Sequence, residues 1–132
     1  MPIAAGNLFI GSFDMLNAIT NPLSATRFGT PFYNKPLRLT GYYKYKAGEQ
    51  FYENGEYTSR KDIFNIYAIF YDGVKYDSAG KGTDVTLDGN LPNQNYEHSS
   101  MVALALVSNP QETEGDEWKF FDIPFDYQRY GK

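Results

Sequence analysis

The stretch LRLTGYYKYK, residues 37–46, decides the fold because its side chains separate at a period of two. Leu37, Leu39, Gly41, Tyr43 and Tyr45 share one face, while Arg38, Thr40, Tyr42, Lys44 and Lys46 share the more polar one. That alternation predicts a strand. IFNIYAIFY, residues 63–71, is β-branched and aromatic on both faces and ends at the turn signal Asp72-Gly73, which predicts a central strand buried on both sides. MVALALV, residues 101–107, is stopped by Ser108-Asn109-Pro110, so a strand fits better than a marginal two-turn helix. EWKFFDIPFDY, residues 117–127, sets Lys119, Phe121, Ile123, Phe125 and Tyr127 against Trp118, Phe120 and Asp122. Pro124 cannot donate to a ladder, which places this last strand at an edge or a bulge.

Outward from these strands, Asn54-Gly55 marks a short hairpin and NLFIGSF, residues 7–13, a further short strand. The connections TNPLSATRFGTPFYNKP, DSAGKGTD, LDGNLPNQN and SNPQETEGDE are rich in Gly, Asn, Asp and Pro. Short strands joined by such loops, with no long amphipathic helix, indicate an all-β antiparallel sandwich or barrel. There is no internal repeat. The 132 residues suit one domain spanning 1–132.

Composition narrows the function classes. Lys and Arg number 12 against 16 Asp and Glu, a net charge of −4, which argues against a nucleic-acid binder that tracks phosphates. The absence of cysteine removes disulfides, thiolate metal sites and a cysteine nucleophile together. No apolar run reaches the roughly 18 to 20 residues that span a bilayer. The chain opens MPIAAGNLFIGSF with no Lys or Arg before Arg27, unlike a secretory leader. Either the protein is cytosolic or the sequence is a piece of something exported.

Chemistry has few candidates. His98, the one histidine, lies between Glu97 and Ser99 in a polar loop and reads as solvated. No GxSxG, Walker or GxGxxG motif occurs. A two-carboxylate glycosidase would find many acids, nearly all in loops or at strand ends, where solvated charge is the ordinary role. Calcium is the candidate ion, with Asp72, Asp77, Asp84 and Asp88 as ligands, although the alternating DxDxDG pattern is absent; no other cofactor is indicated.

The aromatic content weighs most: 12 Tyr and 10 Phe with one Trp. A flat ring covers the apolar C–H face of a pyranose while neighbouring polar groups bond its hydroxyls. Tyr42, flanked by Arg38 and Lys44, and Tyr33, in a loop with Arg27, Asn34 and Lys35, are the candidate ligand surface. Phe64, Phe70, Phe120, Phe121, Phe125 and Tyr43 read as core, and Trp118 as a packing anchor.

The runs AAGNLFIGSF, NPLSATRFGTPFYNKPLRLTGYYKYKAGEQF, KDIFNIYAIFYD and EWKFFDIPFDY resemble the "putative carbohydrate metabolism domain" family (PCMD) of Bacteroidetes surface and periplasmic lipoproteins. The most specific pieces are Gly29, Pro31, Phe32, Lys35 and Pro36 followed by residues 41–45, and the pattern of Trp118, Phe121, Ile123, Pro124 and Phe125. The resemblance implies a jelly-roll β-sandwich similar to carbohydrate-binding modules, located at the cell surface or in the periplasm. It carries no catalytic residues. The family pattern as expected has a leading segment and a last strand beyond these runs, which leaves three expectations for this sequence: a compact minimal sandwich, an exposed edge paired with a second copy, or a fragment with an incomplete ligand cleft.

The expected function is therefore a non-catalytic carbohydrate-binding or glycan-handling module, its partner a polysaccharide or oligosaccharide. The alternative is a structural or adhesive module that pairs with a second copy through strand edges. A glycoside hydrolase is third.

Overall fold

The computed structural model describes residues 6–90 and 95–132. The start of the AAGNLFIGSF run and the centre of the LDGNLPNQN loop lie outside them. The chain is all-β, with its strands in small antiparallel sheets. In chain order these are β1 (Gly11–Phe13), helical turns α1 (Asn17–Thr20) and α2 (Pro22–Ala25), β2 (Thr26–Phe28), β3 (Arg38–Tyr43), β4 (Phe51–Glu53) and β5 (Glu56–Thr58). They continue as β6 (Tyr67–Tyr71), β7 (Val74–Tyr76), β8 (Gly82–Asp84), β9 (Leu87–Asp88), β10 (Met101–Leu106) and β11 (Lys119–Pro124), and a 3-10 turn covers Gln128–Tyr130. The sheets are β1-β2-β9, β10-β6, β11-β3, β4-β5 and β7-β8.

Two compact units emerge. One is built on Pro36–Ala68 and Ala105–Phe125, the other on Asn7–Lys35, Ile69–Leu104 and Asp126–Lys132. In the first unit, β3 and β11 pair in register, with Tyr42 opposite Phe120, Gly41 opposite Phe121 and Thr40 opposite Asp122. The period-two reading holds here: Leu39, Gly41 and Tyr43 turn inward, while Arg38, Thr40 and Tyr42 are exposed. Beneath the sheet, Tyr43 packs against Phe64 and Phe121 with ring centroids 5.4 and 6.3 Å apart, and its hydroxyl donates to the Gln111 carbonyl at 2.9 Å. Gly41 is required by that packing, because a Cβ there would lie 2.8 Å from Cζ of Phe121. Pro124 stands at the end of β11, opposite Arg38, where its missing N–H does no harm.

In the second unit the core is Ala25, Leu87, Met101, Ala103 and Leu104, all buried. The three-stranded sheet closes tightly at Gly11, whose φ of 152° and position against the Arg27 carbonyl leave no room for a Cβ. The Tyr71 hydroxyl donates to the Phe28 carbonyl at 2.6 Å, tying β6 to the end of β2. Phe32 meets Phe70 edge to face at 6.2 Å.

Three expectations need correction. The run at residues 63–71 is a strand only over Tyr67–Tyr71, pairs with β10 alone among the described residues, and is half-buried instead of central. Its first half bends away because Phe64 turns to the rings of Tyr43 and Tyr45, leaving Ile63 exposed. DSAGKGTD is more than a loop: it closes the β7-β8 hairpin, with the Asp77 carboxylate accepting the amides of Ala79 and Lys81 at 2.9 and 2.8 Å. Residues 20–36, expected as connection, hold the helical turn α2 and strand β2, and α1 runs into their start. The Asn54-Gly55 hairpin is as expected, both residues having positive φ (52° and 89°), as a type I′ turn demands.

Candidate functional site

The solvent face of the β3-β11 sheet is the first candidate. Because the pleat alternates, every second residue of each strand comes to this face in rungs spaced about 7 Å apart. Tyr42 and Phe120 form one rung, 65% and 55% exposed, with ring centroids 5.1 Å apart. The next rung, just past β3, sets the Lys44 ammonium 5.0 Å from the ring centroid of Trp118, itself 64% exposed. On the other side come Thr40 with Asp122, then Arg38. The Arg38 Nε donates to Oδ1 of Asp122 at 2.5 Å and an Nη to the Asp122 carbonyl at 3.4 Å. A guanidinium has more donors than that pairing uses, so Arg38 is held in place with hydrogen-bonding capacity left.

Two expectations fall here. Phe120 is not core and Trp118 is not a packing anchor; both lie on the open face, because Lys119, between them in sequence, pairs with Tyr43 and forces its neighbours outward. Of the six ligand candidates, Tyr42, Lys44 and Arg38 share this face.

Tyr33 and Asn34 lie in the other unit, on a shallow cleft of about 350 Å³ that Lys35, Phe70, Tyr127 and Lys132 also line. Tyr33 is 94% exposed. The Lys35 ammonium stands 4.3 Å from the Tyr127 ring centroid. Arg27 is not part of the cleft; on β2 it faces Asp14, whose carboxylate lies 3.9 Å from its guanidinium.

The acids behave as structural groups. Asp77 closes its own turn, and Asp88 accepts the Asn90 amide at 2.8 Å. Asp84 ends β8 opposite Val74, and Asp72 follows β6 with its amide bonded to the Ser100 carbonyl. No group of three or more His, Asp or Glu residues able to hold a metal occurs among the described residues. Glu112 accepts the Ala47 amide at 2.7 Å and the Lys61 ammonium at 3.1 Å, and these bonds hold its carboxyl below the usual range, opposite to what a general acid needs.

His98 is half-buried and not solvated as expected. Its Nδ1 accepts the Ser100 amide at 3.2 Å, so Nδ1 carries no hydrogen and the Ser100 hydroxyl, 2.6 Å away, donates to it as well. Ser100 is buried, so this pair closes a turn and offers no accessible nucleophile.

The chain is all-β, and its open β3-β11 face displays aromatic rungs beside cationic and hydroxyl groups. The chain is a member of the "putative carbohydrate metabolism domain" family, whose model matches residues 1–132. It is similar to a crystal structure from Bacteroides vulgatus described as a "putative glycoside hydrolase", with 55% identity and a TM-score of 0.82. That match covers 100% of this chain and 48% of the other. A second structure, from Bacteroides thetaiotaomicron and described in the same words, is 47% identical with a TM-score of 0.74, covering 96% of this chain and 34% of that one. The chain thus spans half or less of these structures' length. No curated sequence matches it significantly. No helix among the described residues is long and apolar enough to cross a membrane.

Proposed function

We propose that this chain is a non-catalytic glycan-binding module of a longer surface or periplasmic protein, and that the β3-β11 face is its platform. One observation carries the reading: three aromatic rings stand exposed in adjacent rungs beside Lys44, Thr40 and Arg38. Left uncovered, such rings cost free energy in water, and stacking on the apolar face of a pyranose recovers it while the flanking groups take its hydroxyls. A shallow, open face gives modest affinity because ordered water must be displaced over a small area.

The test is affinity electrophoresis of the folded chain against plant, microbial and host polysaccharides. Retardation by one class, lost in Trp118→Ala and Tyr42→Ala with the fold intact, is the expected result. A folded chain that no polysaccharide retards overturns the reading.

A second reading draws on the two Bacteroides structures described as glycoside hydrolases. On it, the platform guides substrate to a hydrolase whose catalytic pair requires sequence beyond this chain's share of those structures. Hydrolysis by the isolated chain of the polysaccharide it binds would instead place the acids within residues 1–132.

A further inference from the structure

The exposed groups of the β3-β11 sheet are arranged as a line. Four rungs follow one another along the strands: Lys44 with Trp118, Tyr42 with Phe120, Thr40 with Asp122, and Arg38 opposite Pro124. At about 3.4 Å per residue the line from first rung to last runs roughly 20 Å, while its width is the single strand spacing of about 5 Å. The rings of Trp118, Tyr42 and Phe120 occupy the two rungs at one end, and the groups that bond hydroxyls, Thr40, Asp122 and Arg38, occupy the other. Arg38 is held there by its bond to Asp122, so the polar end is preorganised. Each of the three rings is more than half exposed, so none stands inside a walled pocket. Nor are the rings coplanar: Tyr42 and Phe120 are tilted by 50°, and a two-stranded ribbon twists strongly, so successive rungs turn relative to one another.

We propose that this line binds an internal stretch of one soluble, linear, β-1,4-linked glycan chain in extended form, lying along the strands with its sugars spread over successive rungs. That the ligand is a glycan rests on the reading above; its form rests on the line of rungs. Three features of the face give that form. An extended chain of about four pyranose residues fills the roughly 20 Å of the line, whereas a coiled α-1,4-linked chain turns away from it. Recognition of a chain end requires a wall that closes around the terminal hydroxyls, and an open face supplies none, so the ends of the chain are immaterial. A crystalline polysaccharide presents a flat surface, which rings tilted by 50° on a twisting ribbon do not match. Chain length matters for an energetic reason as well. The loss of translational freedom is met once, so each further sugar that reaches a rung adds contacts at small extra entropic cost until the rungs are used up.

The experiment is calorimetric titration of the folded chain with cello-, xylo- and manno-oligosaccharides, each as a ladder from monosaccharide to hexasaccharide, and with malto-oligosaccharides as the coiled comparison. In one of the β-1,4-linked ladders the tetrasaccharide should bind about 10-fold or more tighter than the disaccharide, a margin that one or two further polar contacts supply. The hexasaccharide should add little, and borohydride reduction of its end residue should change little. Arg38→Gln should remove most of the tetrasaccharide's margin, because Arg38 stands at the far end of the line from Trp118; Thr40→Ala takes its place if that variant loses its fold. A disaccharide that binds as tightly as the hexasaccharide, stronger binding of the malto ladder, loss of binding on end reduction, or a margin untouched in the folded variant overturns the inference. So does sedimentation with microcrystalline cellulose that soluble cellohexaose does not compete, or retardation only by polysaccharides of other linkage. In each of these cases the glycan-binding reading stands. A folded chain that binds no ladder, and that no polysaccharide retards, overturns both.

Discussion

Tyr42 and Phe120 stand opposite each other across the β3-β11 ladder with ring centroids 5.1 Å apart and planes tilted by 50°, and neither ring is buried. A cross-strand aromatic pair of this kind adds roughly 0.5–1.5 kcal/mol to sheet stability. Phe120→Ala should therefore lower the unfolding free energy by about 1 kcal/mol, well below the roughly 3–5 kcal/mol typical of a buried phenylalanine. Its effect on glycan retardation should be larger, a roughly 5- to 30-fold weakening if the ring is a central contact. Chemical denaturation and affinity electrophoresis on the same variant separate the two. A stability loss typical of a core residue would show that the ring is covered in solution.

Gly41 answers to Phe121. The 2.8 Å separation between a built Cβ and Cζ means that Gly41→Ala must push a half-buried ring aside. The expected cost is about 1–3 kcal/mol. Phe121→Leu should be destabilising alone yet less so on the Gly41→Ala background, giving a favourable coupling in a double-mutant cycle. Simple additivity of the two losses would refute the steric account.

Titration should be asymmetric. Burial raises the hydroxyl pKa values of Tyr45, Tyr127 and Tyr130 above their usual 10.0, with Asp62 adding to the effect at Tyr45. A raised folded-state pKa means that the folded chain favours the neutral phenol. Stability from these groups is complete below pH 10.0 and falls as pH rises through the folded values. Ultraviolet titration of tyrosinate should show a late fraction that reverts to ordinary behaviour in denaturant. At the acid end Glu112 works the other way: its depressed pKa gives stability present above 4.5 and lost as pH falls through the folded value. Glu112→Gln should flatten that acid limb.

Arg38 and Asp122 should matter more for binding than for folding. Both are substantially exposed, so their 2.5 Å pairing is worth on the order of 0–1 kcal/mol. Arg38→Gln should shift the melting temperature little while weakening retardation by neutral polysaccharide several-fold. A large fall in melting temperature with unchanged binding would reverse the assignment.

Much of the fold was readable in the pattern. The alternation of residues 37–46 identified both faces of β3, and Asn54-Gly55 located its hairpin, because period and turn chemistry are local. The extent of β6 was not, since Phe64 leaves the strand direction for Tyr43 and Tyr45, partners remote in sequence. The β7-β8 hairpin escaped notice for another reason: its residues are exposed on both strands, so no hydrophobic alternation marks it. On the open face of the β3-β11 sheet, the shared side of Tyr42, Arg38 and Lys44 was legible from one strand. Trp118 and Phe120 were not, although the sequence groups them with Asp122 on one face. The antiparallel register that sets them beside Tyr42 is a long-range fact no local window contains. Arg27 shows the converse, neighbourhood in a loop sequence having suggested a site that β-pairing dissolves.

Trp118 is the chain's one tryptophan, and its exposed ring beside the Lys44 ammonium makes it an optical reporter built into the platform. Its emission belongs entirely to this face, free of background from any other indole. In the unliganded chain it should emit at long wavelength and be quenched readily by a dissolved collider such as iodide. A sugar ring laid over it would shift the emission to the blue and shield it, so occupancy of the platform can be followed without a label.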